Sequence, residues 1–186
     1  MSDTVGVIVD GDGDFAALRK RFTNGFRIVK TDGPRGHTAD SKEIVRRARK
    51  QIRILRGLRC KRVVVVLDFE ERGQPYQTFV DHLRAEFSCT DLGVPVGVAV
   101  PNRMIENWYL ADIEHLSANK VFLKRNLRQR NYEGCHGKSQ MKKFMRRPHT
   151  YSETKHGPEM FAILRFPVAR THSSSFDAFL ALMPPS

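Results

Sequence analysis

Val63-Val64-Val65-Val66-Leu67 is an unbroken apolar run, four β-branched residues and a leucine with no polar alternation. A strand that is apolar on both sides needs cover on both sides, which is the situation inside a parallel sheet sandwiched by helices. The run ends on Asp68 and Glu70. In open α/β sheets, ligands and metals bind beyond the carboxyl ends of the strands, so Asp68-Phe69-Glu70 is a candidate site. The alternative is that Asp68 only starts a turn and caps the next helix.

The preceding segments fit the same architecture. Val5-Gly6-Val7-Ile8-Val9 is a short apolar strand that runs into Asp10-Gly11-Asp12-Gly13-Asp14, and Phe15, Leu18 and Phe22 then fall at i, i+3 and i+7. That order predicts strand, tight glycine loop and amphipathic helix. Gly25–Lys30 reads as a second strand, followed by an exposed loop over Asp32-Gly33-Pro34-Arg35-Gly36. Asp40 and Glu43 stand in capping-box spacing before a helix whose stripe is Ile44, Ala48, Ile52 and Leu55 and which stops near Gly57. Its other faces carry Arg46, Arg47, Arg49, Lys50, Arg53 and Arg56, either a solvated surface or a phosphate-binding one.

Beyond the Val63 run, Thr78–Phe87 has helical spacing and Val94–Val100 reads as a fourth strand with Pro95 in its first residues. Strands alternating with helices define an α/β domain with a mainly parallel sheet. Pro101–Asp112 is expected to open a helix directly from that strand, with Glu106 in its first turn and Trp108 anchored in the core. From Ser117 to Arg147 apolar residues thin out, which predicts a mobile or partner-ordered stretch. Met160, Phe161 and Leu164, and then Phe176, Phe179, Leu180 and Met183 behind Ser173-Ser174-Ser175, predict a closing helix. The expected organisation is a core over 1–116 and a basic, partly irregular extension over 117–186.

Charge narrows the partners. A formal net charge of +12 points to a polyanion, most simply nucleic acid. Of 32 lysines and arginines, ten lie between Lys42 and Arg62 and ten between Lys120 and Arg147. Three cysteines without CxxC spacing argue against a disulfide framework or zinc ribbon. No apolar run reaches membrane length and no signal-peptide pattern is visible, so a cytoplasmic protein without membrane association is expected.

Asp10, Asp68, Glu70 and Glu106 all fall at or just beyond the ends of three strands predicted to be neighbours. Carboxylates gathered at one site repel unless a cation offsets them. A hard ion with oxygen ligands, Mg2+ or Mn2+, suits such a set better than it suits seven scattered histidines. On a basic chain this predicts metal-assisted chemistry on phosphodiesters. An EF-hand is excluded, because the sixth loop position is Phe15 and the twelfth is Arg21. Val9–Gly13 resembles a haloacid-dehalogenase nucleophile loop and Gly11–Phe15 resembles PIN or NYN-like ribonucleases, each over only a few residues.

A wider likeness joins these motifs. The Asp10-Gly11-Asp12-Gly13-Asp14 loop, the strand end Leu67-Asp68-Phe69-Glu70 and the helix block Arg103-Met104-Ile105-Glu106-Asn107-Trp108-Tyr109-Leu110-Ala111-Asp112 resemble a Toprim-like family of unassigned function, domain of unknown function 4276. Gly137-Lys138, Tyr151–Lys155 and Ser174-Ser175-Phe176 are similar to the family's ending. The resemblance implies a Toprim fold, shared with topoisomerases, primases and overcoming-lysogenization-defect nucleases. It implies magnesium at Asp10, Asp68 and Glu70, and an ATPase partner in a prokaryotic antiphage defence locus. Asp10 and Asp14 replace the family's glutamates, which sets a general base back by one methylene.

The expectation is therefore a Mg2+-dependent nuclease with Asp10, Asp68, Glu70 and Glu106 at its centre. Arg103, Lys138 and Lys155 are candidates for phosphate contacts, or else ordinary surface cations. The alternatives are an inactive Toprim-like module that binds nucleic acid or an ATPase, and a PIN or NYN-like ribonuclease.

Overall fold

In a computed structural model that describes residues 4–31 and 39–184, four strands form one parallel sheet. They are β1 (Val5–Val9), β2 (Phe26–Lys30), β3 (Arg62–Val66) and β4 (Val96–Ala99), in the order β2-β1-β3-β4. The architecture is α/β and Rossmann-like. The loop predicted over Asp32–Gly36 lies outside the described residues.

The run that is apolar on both sides does what its composition requires. Val64 and Val66 join a core cluster on one face of the sheet, while Val63 and Val65 join a separate cluster on the other. Helix α1 (Asp12–Arg21) contributes Ala17 and Leu18 to the first cluster; α2 (Ser41–Gly57) and α3 (Tyr76–Ser88) fill the second. The chain leaves β1 toward one edge and returns past it to β3, so right-handed crossovers put α1 and α2 on opposite faces. Asp40 caps α2 by accepting the Glu43 N–H at 2.8 Å, as the spacing predicts. Ile44, Ala48, Ile52 and Leu55 are its buried stripe.

Two expectations change. Pro101–Asp112 is not one helix from the strand end. A loop runs to α4 (Glu106–Leu110), and α5 (Ile113–Asn119) follows. Arg103 has φ +90°, outside the helical region, and the Met104 N–H is taken by Asn107 Oδ1 at 3.3 Å.

The stretch after Ser117 is folded into the first core cluster, through Phe122, Leu123, Met141 and Met145, rather than loose. Helix α6 (Gly137–Phe144) buries Met141, and an antiparallel bridge between Leu123 and Met145 closes the segment on itself. Polar side chains hold the irregular part. Gln129 accepts from Ile113 N at 3.1 Å and donates to Leu110 O at 3.1 Å, and Asn107 Nδ2 donates to the Cys135 carbonyl at 3.1 Å.

Helices α7 (Glu153–Ile163), α8 (Phe166–His172) and α9 (Ser174–Ala181) complete the first cluster. Ser173 caps α9 through the Phe176 N–H. Trp108 is fully buried, stacks on Phe179 at 4.8 Å and donates to Ser175 Oγ at 3.0 Å, so it is a core anchor. Among the described residues, no helix is long and apolar enough to cross a membrane.

Candidate functional site

β1 and β3 lie side by side with Val9 opposite Val66, and the connections that leave them go to opposite faces. Such a switch point leaves an open crevice beyond the strand ends, and Asp10 and Asp68 are the residues that follow there. Asp14 reaches the same place from the first turn of α1 and is buried. A Cβ on Gly11 would stand 2.9 Å from Asp14 Oδ2, so the glycine is what lets this carboxyl fold back over its own loop.

The loop after β3 is laced to the loop after β4. Asp68 Oδ1 accepts the Ile105 N–H at 2.9 Å, which fixes the start of α4 and delivers Glu106. The Glu70 N–H donates to Arg103 O at 2.6 Å. Glu70 (φ +54°) and Arg103 (φ +90°) both adopt positive φ, where a side chain costs on the order of 1–3 kcal/mol. Strain at both ends of one hydrogen bond marks this edge as over-determined by its surroundings.

Electrostatics identify what converges. Burial, then the charges of Asp14, Asp10 and Glu106, push the Asp68 carboxyl well above its ordinary value. Asp14 is pushed up by burial and then by Asp10 and Glu106. Asp10 rises to about 6, through burial first and Glu70 second, and shares a side-chain hydrogen bond with Asp14. Asp10 from the loop after β1, Asp14 from α1 and Glu106 from α4 therefore all act on Asp68 from the loop after β3, and Lys138 is the cation that opposes the shifts of Asp14, Asp68 and Glu106.

Glu106 has the most enclosed setting. It is 1% exposed, and Oε1 accepts the Tyr151 hydroxyl at 2.9 Å. Its other oxygen, Oε2, is buried with no hydrogen-bond partner among the described residues. Gly137 sits directly over it, since a Cβ there would meet Glu106 Cβ at 2.7 Å. Lys138 is pulled down by burial, but Glu106, Glu153 and Asp68 outweigh this and hold the ammonium above its ordinary value. Its amine pairs with Glu153 at 3.0 Å.

The sequence candidates are thus sorted. Asp10, Asp68 and Glu106 come together; Glu70 stands on the flank beside Asp10, with Arg72 acting on both. Arg103 pairs with Glu71 at 3.2 Å, Lys138 serves as counter-charge within the cluster, and Lys155 is exposed on α7. Asp14, Tyr151 and Glu153 were not among the candidates. Asp14 had a signal, four residues beyond Asp10 at a helix start, whereas Tyr151 and Glu153 were marked only by the likeness of Tyr151–Lys155 to the family's ending, which gave them no role.

The donor set is all oxygen and carries an unpartnered buried carboxylate oxygen, which fits a hard divalent cation in chemistry. Among the described residues, no three His, Cys, Asp or Glu side chains already stand in positions that would ligate one. Neither a family model, a curated protein nor a solved structure matches the chain.

Proposed function

We propose that the protein is a Mg2+- or Mn2+-dependent phosphodiester-cleaving enzyme acting on nucleic acid. The observation that carries this reading is the gathering of Asp10, Asp14 and Glu106 about Asp68 at the switch point between β1 and β3, with Lys138 as counter-charge to Asp14, Asp68 and Glu106. The likeness to Toprim-like proteins, carried by the loop after β1, the end of β3 and the start of α4, points the same way. A role beside an ATPase in prokaryotic defence rests on that likeness alone.

Asp10, Asp14 and Asp68 would hold the cation, with Glu106 behind them and Glu70 at the rim. A divalent ion supplies Lewis acidity at a phosphoryl oxygen. The chain supplies the remaining roles. Asp10 would also be placed to take the proton of the attacking water as that water's oxygen bonds to phosphorus and the P–O bond to the leaving sugar oxygen breaks, the sugar oxygen taking its proton from solvent. Tyr151 positions Glu106, and Lys138 offsets charge on the cluster.

A second reading, a binding module without chemistry, is favoured by one observation: the described carboxylates are not already grouped in threes for a metal. The PIN or NYN-like reading has less support, because the Asp12 side chain is 70% exposed and pairs with Lys30. The test is cleavage of DNA and RNA with Mg2+ or Mn2+, wild type against Asp68→Asn, together with calorimetric titration of the metal. Loss of cleavage and of metal binding in the variant is expected. Robust cleavage by the variant overturns the site, and metal-independent binding without any cleavage favours the module.

A further inference from the structure

We propose that a nucleic-acid strand docks by its phosphates along a ledge built from α6 and the Leu123–Met145 bridge. It would reach the carboxylates through the cleft between α6 and the start of α7. The direction of the strand rests on the reading of the carboxylates as the reacting edge; the ledge itself does not.

The cleft comes first. A cavity of about 590 Å3 lies beside the cluster, lined by Lys138 and Lys142, by Tyr151, Ser152 and Thr154, and by two carboxylates that already have cations, Glu153 on Lys138 and Asp12 on Lys30. Lys138 and Tyr151 belong to both places, since each also acts on Glu106. Residues four apart share a helix face, so Lys142 continues the line of Lys138 away from the carboxylates. Lys142, which forms no salt bridge among the described residues, and the hydroxyls of Ser152 and Thr154 suit a phosphate, while Lys138 is already shared with Glu153.

The bridge extends that line. Lys124 N donates to Phe144 O at 2.9 Å and Arg146 N to Phe122 O at 2.8 Å, so two chain segments are clamped side by side. This brings Lys124 next to Lys143, Arg146 and Arg147, all four exposed. None of these four, nor Lys142, forms a salt bridge among the described residues. Unpaired exposed cations bind phosphates by releasing counterions, without reading sequence.

The other basic stretch is excluded by its position. Helix α2 covers the opposite face of the sheet and runs from the carboxyl edge toward the amino edge, roughly 25 Å over its length. Arg46 and Arg47, nearer the carboxyl edge, are held by Glu43. Arg53 and Arg56 lie at the far end.

The experiment is fluorescence anisotropy in chelator with a labelled single strand about 16 nucleotides long, titrated over salt. The Lys142→Glu/Arg146→Glu protein is expected to bind more weakly by more than about tenfold. Lys142→Gln/Arg146→Gln should shallow the log–log salt slope by about 1.4, while Arg49→Glu/Arg53→Glu changes neither quantity. Melting curves confirm that each variant is folded. Wild-type binding by the ledge variants, an equal loss in the α2 variant, or equally tight binding of a polyglutamate peptide of the same charge each overturns the proposal. Asp68→Asn separates the two readings. If it binds the strand and wild type never cleaves, the ledge stands and the enzyme fails; if wild type cleaves with a KM untouched by the ledge variants, the ledge fails and the enzyme stands.

Discussion

Lys42–Arg62 and Lys120–Arg147 carry ten cations each, yet the fold gives them different work. The first is mostly an amphipathic helix, rooted by Ile44, Ala48, Ile52 and Leu55, whose cations spread over the sheet face away from the carboxylates. The second has only short regular pieces. Phe122, Leu123, Met141 and Met145 root it in the opposite core, and Gln129 and Asn107 tie its irregular backbone through hydrogen bonds. Lys138 and Lys142 consequently end beside the carboxyl edge. Equal numbers of cations in sequence say nothing about which stretch meets a substrate; the face of the sheet and the direction of the element decide.

The largest effect should come from the root of the second stretch. Met141 is fully buried, so Met141→Ala should cost about 2–5 kcal/mol in a denaturant melt, while Arg49→Ala on α2 should stay within about 0.5 kcal/mol. A melt unchanged by Met141→Ala would mean that this stretch is not part of the fold, and the comparison would collapse.

Next come the glycines at the two helix ends. A Cβ at Gly137 would press on Glu106 Cβ at 2.7 Å, so Gly137→Ala should destabilise by about 1–3 kcal/mol and weaken cleavage. Gly57 meets nothing within 4 Å, and Gly57→Ala should stabilise by about 0.4–1 kcal/mol. Equal melting temperatures for the two variants would show that α6 is not seated against the carboxylates.

A pH effect of middle size belongs to the carboxyl edge alone. Asp10 titrates at about 6 in the folded chain against an ordinary 3.8, so the folded state holds more protons across that window. Stability in chelator therefore falls as pH rises from about 4 to 6 and stays lower above it, by about 1–2 kcal/mol after solvent screening at this half-buried group. Asp10→Asn should make that slope shallower, leaving the part that Asp14, Asp68 and Glu106 contribute. Superimposable pH profiles for the two proteins would place Asp10 outside the cluster.

The smallest effect should be at Glu43. Its carboxyl is held down at about 2 by hydrogen bonds from Arg46 and Arg47, so what it contributes is present at neutral pH and lost only as pH falls through that value. Glu43→Gln should leave neutral stability and oligonucleotide affinity nearly unchanged. A clear gain in affinity would show that freed α2 cations reach the nucleic acid after all.

Much of the sheet was legible because burial on both sides, glycine loops and capping boxes are local signals. Val63–Leu67, the strand before Asp10 and the Asp40 cap all form where their residues require. The start of α4 was not legible in the same way, because Asp68 and Asn107 take the N–H groups of Ile105 and Met104 that a continuous helix would have used. Nor was the order of the stretch after Ser117, since long-range bonds from Gln129 and Asn107 leave no periodicity to read.

By itself the sequence determined that a strand apolar on both sides must sit inside a parallel α/β sheet and that acidic groups follow its end. Only the tertiary structure decided which acids meet. Asp14 enters because Gly11 admits it, Glu70 is set to the flank by its left-handed backbone, and Glu106 is enclosed by Tyr151 and Gly137 from segments 31 or more residues away. Burial and repulsion depend on distance in space, and spacing along the chain fixes that distance only within a single turn or helix.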